Sequence, residues 1–137
     1  MTLRRFIPVL ALSGSLLLAA CGGSDSSSEA ESEASTTPAQ ARAEIGKVQT
    51  AIGDALASMK QGNRAAAGEA VAEGYVEHFE KVEGPLEKVD PELKEKLEES
   101  ISTDLRGKIK SGASRAEVQQ LAGSIRADLD TAESKLK

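Results

Sequence analysis

Four stretches of this chain repeat apolar side chains every three or four residues, and this periodicity limits the folds open to it. The spacing matches the α-helical turn of about 3.6 residues, so each stretch would present one apolar face. No stretch alternates apolar and polar residues with a period of two, and we therefore expect no β-strands. Helices with one apolar face must bury it against other helices. The sequence thus predicts an all-α domain.

Capping and turn residues separate these stretches into four predicted helices. A capping box can form between Thr37 and Gln40, and another between Ser114 and Glu117. Gly84-Pro85 is expected to stop the second helix, because proline lacks an amide donor and clashes with the preceding turn. Residues 84–90 would then form a turn. The helices are predicted over residues 37–62, 64–83, 90–112 and 114–136.

Amphipathic helices of about 20 residues with short connections predict an antiparallel up-down four-helix bundle. Its core would be built from one apolar row on each helix. In the second helix, the only histidine lies inside the apolar face and Phe79 lies at its edge. The predicted rows are Ile45, Val48, Ile52, Ala55 and Met59; Ala67, Val71, Tyr75, His78 and Val82; Leu93, Leu97, Ile101, Leu105 and Ile109; and Val118, Leu121, Ala122, Ile125, Leu129, Ala132 and Leu136.

The N-terminal residues have the parts of an export signal. Arg4 and Arg5 precede the apolar stretch 6–18, which is shorter than the roughly 20 residues needed to span a bilayer. Residues 22–37 contain no large apolar side chain, so we expect them to be a flexible acidic tether. The predicted organisation is a signal peptide at 1–20, a tether at 21–37 and the helical bundle at 38–137.

The segment Leu18-Ala19-Ala20-Cys21 resembles the lipobox of bacterial lipoproteins. This resemblance implies that lipid is added to the Cys21 thiol and that cleavage follows before Cys21. The protein would then be extracytoplasmic and lipid-anchored to the bacterial cell membrane, on its periplasmic or outer-surface side. An ordinary secretory signal with an incidental cysteine, or a short membrane anchor, are the alternatives.

Composition argues against several classes of function. The chain has a net charge of −5 and shows no basic stripe, so nucleic-acid binding is not expected. Cys21 is the only cysteine, which excludes an intramolecular disulfide and zinc-thiolate sites. The sequence contains no GxSxG, HExxH, P-loop or GxGxxG pattern and only one histidine. We therefore expect no enzymatic activity.

Residues 73–86 combine the only histidine with both aromatic residues that follow the leader and with several glutamates. Carboxylates together with one imidazole suit iron, manganese or zinc. His78 is the candidate imidazole ligand, and Glu83 lies at the flank of its helix face. One helix cannot enclose a metal, so a carboxylate from another helix, Asp104 or Asp128, would be needed. The alternative is that His78 is a core or boundary imidazole bonded to one carboxylate, with the aromatic residues as packing.

The run from Tyr75 to Leu86 resembles the extracytoplasmic helical domain of bacterial iron permeases, which are related to the oxidase-linked yeast permease. The resemblance extends to residues 90–93, 105–106, 109, 112 and 118. The resemblance implies a role near iron uptake, in which the domain presents or binds iron beside a permease. Glu80 and Glu83 would be metal ligands with His78, and Tyr75 and Phe79 would be aromatics of the ligand face. The Arg-Glu-Gly-Leu-Glu motif of these permeases is not present.

Two functions follow as expectations. The first is a non-catalytic, membrane-anchored lipoprotein that binds a metal, with iron as the implied ion, or assists a permease in an uptake system. The second is an envelope lipoprotein that binds another protein through a helix face and holds no metal.

Overall fold

The computed structural model describes residues 36–137, which form four helices and no strand. The all-α prediction is confirmed for this part of the chain. The predicted signal peptide, Cys21 and most of the predicted tether lie outside the described residues. Helix α1 is Pro38–Lys60; α2 spans 64–87 as Arg64–Glu73, Gly74–Phe79 and Glu80–Glu87; α3 spans 91–111 as Pro91–Glu98, Glu99–Leu105 and Arg106–Ser111; and α4 is Arg115–Lys135.

Both predicted capping boxes form. The Thr37 hydroxyl accepts the Gln40 N–H at 3.3 Å, and the Gln40 side chain accepts the Thr37 N–H at 2.9 Å. The Ser114–Glu117 pair repeats this exchange at 3.3 and 2.8 Å. These bonds satisfy amide groups that have no partner within the helix, so they fix where α1 and α4 begin.

The prediction that α2 stops at Gly84-Pro85 is wrong, because the helix continues through Pro85 to Glu87. Helical geometry before a proline is normally disfavoured by a clash with the Cβ atom of the preceding residue. Gly84 has no Cβ atom and therefore avoids this part of the clash, which otherwise also involves the backbone N–H. Pro85 is also buried beside the buried Leu86, and this apolar burial offsets the lost backbone hydrogen bond.

The middle of α3 is a π-helix, Glu99–Leu105, and the sequence gives a reason for it. The apolar residues of α3 recur every four positions. On an α-helix of about 3.6 residues per turn, each step of four rotates the side chain by about 40° away from the row. A π-helix holds more residues per turn and removes this drift. Leu97, Ile101, Leu105 and Ile109 therefore all remain buried.

One apolar core joins the four helices, and no polar or charged side chain among the described residues is buried in it. α1 packs against α2 and α4, and α3 also contacts both of these helices. The predicted row of α1 is buried throughout, whereas in α4 Leu121 is only partly buried. None of the helices in residues 36–137 has both the length and the apolarity required to span a membrane.

Helices α1 and α2 are in close contact at Gly74. A Cβ atom built on Gly74 would lie 2.6 Å from the Cβ atom of Ala51, so even a methyl group would force the two backbones apart. Gly74 is buried between them. Gly46 offers the opposite environment on α1, because a Cβ atom there would meet nothing within 4 Å.

We expect Gly74→Ala to lower the free energy of unfolding by about 1–3 kcal/mol, because the new methyl group overpacks the contact with α1. Gly46→Ala should instead raise it by about 0.4–1 kcal/mol through helix propensity. Urea unfolding followed by helical circular dichroism measures both. Equal stabilisation by the two substitutions would contradict the close approach at Gly74.

Candidate functional site

The widened turn Gly74–Phe79 decides which side chains of the aromatic and acidic segment face the core. Its hydrogen bonding reaches five residues back, as in the bond from the Glu80 N–H to the Tyr75 carbonyl. The extra residue in this turn brings Phe79 fully into the core. His78 is displaced to the boundary, where 26% of its side chain is exposed. The predicted arrangement, with His78 inside the apolar face and Phe79 at its edge, is therefore reversed.

His78 is bonded to a carboxylate of α1. Its Nδ1 atom lies 2.7 Å from Oε2 of Glu44, and Oε1 of Glu44 lies 2.8 Å from the Nζ atom of Lys47. The Lys47 ammonium is the main cause that lowers the pKa of Glu44, and the hydrogen bond with His78 acts in the same direction. The geometry matches the alternative in which His78 is a boundary imidazole held by one carboxylate.

Tyr75 and Glu83 form a second pair, on α2 itself. The Tyr75 hydroxyl donates to Oε1 of Glu83 at 2.9 Å, and the Tyr75 ring stacks on Phe79 with centroids 5.7 Å apart. Burial is the main cause that raises the pKa of Tyr75, with the Glu83 hydrogen bond adding to it. Burial also raises the pKa of Glu83, while the Tyr75 hydroxyl opposes this by stabilising the ionised carboxylate.

The structure does not bring together the three predicted metal ligands. His78 is bonded across to α1, Glu83 is bonded to Tyr75, and Glu80 is exposed. Asp128 forms an ion pair with Lys96 at 2.8 Å, and Asp104 is exposed. Throughout residues 36–137, no three histidine, cysteine or acidic side chains are grouped so that they could hold a metal ion.

A cavity of about 260 Å³ lies beside His78 between α1 and α2. Its lining includes the positively charged Lys47 and the negatively charged Asp54 and Glu73. Ala51 and Gly74, which are in close contact where the two helices meet, form part of its wall. The mixture of charges gives the cavity no strong preference for either an anion or a cation.

A positively charged surface occurs at one end of the domain, although no basic stripe is visible in the sequence. The guanidinium of Arg64, at the start of α2, donates to the carbonyl oxygens of Ile109, Gly112 and Ala113 at 3.3, 3.4 and 2.8 Å. These bonds bring the connection before α2 beside the connection after α3. We call this surface the basic end and define it by Lys60, Arg64, Arg106, Lys108, Lys110 and Arg115, all exposed.

Charge compensation differs between the two halves of the domain. Residues 59–66 and 106–116 contain the six cations of the basic end and no acidic residue. The ion pairs found among residues 36–137 lie in the other half and are Lys47–Glu44, His78–Glu44, Lys94–Glu98, Lys96–Asp128 and Lys135–Asp90. Within the described part of the chain, the basic end therefore keeps its positive charge uncompensated by ion pairs.

Comparison with known proteins adds no relative: no family model, no curated protein and no solved structure matches this chain.

The pKa values of Glu44 and Glu83 are shifted in opposite directions, which predicts opposite effects of removing their charges. The lowered pKa of Glu44 means that the ionised form stabilises the fold above the usual pKa of 4.5, and this contribution is lost as the pH falls through the lowered pKa. The raised pKa of Glu83 means that the protonated form suits the fold, and this contribution is lost as the pH rises through the raised pKa.

We therefore expect Glu44→Gln to lower, and Glu83→Gln to raise, the free energy of unfolding at about pH 7. Both differences should shrink as the pH is lowered from about 7 to about 3, because Glu83 becomes protonated in either state and the ionised form of Glu44 is progressively lost. Urea unfolding across this pH range provides the measurement. The same sign for both variants at neutral pH would mean that the two environments are not as described.

Proposed function

We propose that this protein is an extracytoplasmic bacterial lipoprotein whose helical domain is a non-catalytic interaction module, held to the membrane by lipid on Cys21. The observation that carries the interaction role is the basic end, where six exposed cations form no ion pair within residues 36–137. Binding surfaces commonly present charge that the protein itself leaves uncompensated, because a partner of opposite charge then gains from docking.

The lipid anchor in this proposal is supported by the order of residues at the N-terminus. Positive charge, an apolar stretch and the lipobox-like Leu18-Ala19-Ala20-Cys21 follow one another in the arrangement typical of lipoproteins. Cys21 lies 15 positions before Thr36. If the segment between them is the flexible tether predicted from the sequence, it would keep the domain within about 20–25 Å of the bilayer on average. A partner would therefore be met close to the membrane surface.

We also propose that the four helices run alternately up and down as an antiparallel bundle. The three connections, residues 61–63, 88–90 and 112–114, are short enough to join only neighbouring helix ends. Glu44, early in α1, is bonded to His78, late in α2. Asp90, just before α3, pairs at 3.0 Å with Lys135, the last residue of α4. Such early-to-late contacts are what antiparallel neighbours make.

The first test is the chemical state of Cys21. We expect mass spectrometry of the protein isolated from its native membrane to find a chain that begins at Cys21 and carries acyl groups. Cys21→Ser should accumulate as an unprocessed precursor, because the hydroxyl cannot replace the thiolate as the lipid acceptor.

Ser24→Ala serves as the control, since it changes a nearby polar residue and leaves the thiol in place. It should be processed and lipidated like the wild type. An unmodified thiol on the native protein, or a chain that keeps Met1, would remove the lipoprotein assignment.

Iron binding stays a prediction from the resemblance to iron-permease domains. The observation that bears on it is the His78–Glu44 pair, which offers one imidazole and one carboxylate, whereas a protein site for such an ion commonly needs three or more ligands. We therefore favour interaction without a bound metal as the role of the domain. A permease beside the protein in the membrane would suit either role.

Titration of the purified chain with ferrous, ferric, manganous and zinc ions separates the two roles. We expect no saturable heat and no rise in melting temperature with any ion, for wild type and for His78→Ala alike. Saturable iron binding by the wild type that is lost in His78→Ala, and kept in the control Lys88→Ala at an exposed site, would favour the iron role instead.

A further inference from the structure

We propose that the basic end binds a phosphate-bearing polymer. This inference names the partner class of the interaction role and rests on the proposed function for its setting outside the cytoplasm. The partner would be a flexible chain with a phosphate on successive units, which the domain grips by charge and hydrogen bonding.

Uncompensated charge is the first argument. Six exposed cations lie within two short segments, 59–66 and 106–116, that contain no carboxylate. Like charges on one surface repel one another, and an anionic partner would relieve that repulsion. Asp104 and Glu117 flank the second segment, and neither forms an ion pair with these cations among residues 36–137. In the other half of the domain, Lys96 pairs with Asp128 at 2.8 Å, and Lys47, Lys94 and Lys135 also form ion pairs, whereas Arg42, Lys81 and Lys88 do not. Among residues 36–137, ion pairs therefore neutralise some cations of that half and none of the basic end.

Helix ends account for only part of this charge. Lys60, Lys108 and Lys110 lie in the last turns of α1 and α3, where a cation is favourable beside the negative end of the helix dipole. Arg115 is the first residue of α4, where the dipole is positive and a cation is unfavourable. Arg106 lies before the last turn of α3. The positions of these two arginines thus call for another explanation.

A groove at the basic end supplies a place for the polymer. It has a volume of about 780 Å³ and lies between the first half of α2 and the second half of α3. Arg106 and Lys110, one helical turn apart, line it together with the hydroxyl-bearing Ser102 and Thr103. Guanidinium, ammonium and hydroxyl groups all donate hydrogen bonds to phosphate oxygens. Glu69 is the one acidic residue in its lining.

The shape of this surface and its lack of large exposed apolar side chains favour a polymer over a bilayer or a protein. A groove admits a chain, whereas a flat layer of headgroups would touch only its rim. Protein interfaces depend on large anchoring side chains, and insertion into a membrane depends on aromatic or leucine side chains. The large apolar residues exposed within 36–137 are Val76 and Val89, and both lie in the other half of the domain. The basic end therefore binds through charge and hydrogen bonds.

The test uses the full chain, purified in a neutral detergent, and fluorescent inorganic polyphosphate as the probe. The double variant Arg106→Gln/Lys110→Gln removes two groove cations, and Arg42→Gln/Lys88→Gln removes an arginine and a lysine that are exposed elsewhere, for the same change in net charge. We expect the groove variant to bind about tenfold or more weakly, because each lost contact is a charge-assisted hydrogen bond. The control should keep nearly the wild-type affinity.

Salt dependence gives a second measurement. If the attraction were nonspecific, the groove variant and the control variant would show the same salt dependence. In the groove variant, the slope of log K against log salt concentration should fall in magnitude by about 1.4, or about 0.7 for each lost phosphate contact. The control should keep the wild-type slope. Helical circular dichroism of each variant verifies that it is folded, and these exposed charge substitutions leave the core untouched.

Competition identifies the partner class. Polyglutamate and dihexanoyl-phosphatidylglycerol, at the same total charge as unlabelled polyphosphate, should displace the probe less well than polyphosphate does. Equal displacement by polyglutamate would replace the proposal by an acidic protein partner, and equal displacement by the lipid would replace it by a headgroup. Equally weakened polyphosphate binding in both double variants, or no polyphosphate binding by the wild type, would overturn the proposal of a binding site in the groove. None of these results depends on lipidation, which the Cys21 experiment decides separately.

Discussion

The fit between helix pitch and the spacing of apolar residues is the constraint on which the rest of this domain depends. On a regular α-helix, a row of side chains at every fourth position rotates away from the core of the domain within a few turns. α3 keeps Leu97 and Ile109 on one face only because the turns between them are wider. The same device in α2 buries Phe79 and moves His78 to the boundary. The position of His78 at the boundary, and therefore the partners it can bind, thus depends on the widened turn in α2.

Much of the fold was predictable from local signals. The residues Thr37 and Ser114 mark the starts of α1 and α4 because their hydroxyl groups bond within four residues of chain. The apolar row of α1 follows the ordinary helical period, and it is buried as predicted. The π-helices were not predicted: the four-residue apolar spacing of α3 is visible in the sequence, but a wider turn also needs tertiary packing that favours it. The end of α2 was misplaced because the glycine before Pro85 removes part of the usual steric obstacle and the burial of Pro85 favours continuation of the helix.

The candidate site was less accessible from sequence. Helical periodicity placed His78 on the core face, but that estimate assumed a constant pitch, and the partner Glu44 is 34 residues away in the chain. The basic end was missed for a different reason. Its cations come from two segments that are distant in sequence and are brought together by the packing of α2 against α3 and by the bonds from Arg64 to the carbonyl groups of Ile109 and Ala113. Inspection of each helix by itself does not find such a surface. The predicted antiparallel arrangement would have allowed the two segments to be placed at the same end of the bundle.

Arg64 also has a consequence for how the domain opens. Its guanidinium occupies carbonyl groups at the C-terminal end of α3 that would otherwise face water, and it is itself anchored by the Asn63 cap at the start of α2. The guanidinium thus joins two connections that are distant in the chain. Opening either connection breaks these bonds, so the order of each one contributes to the local stability of the other.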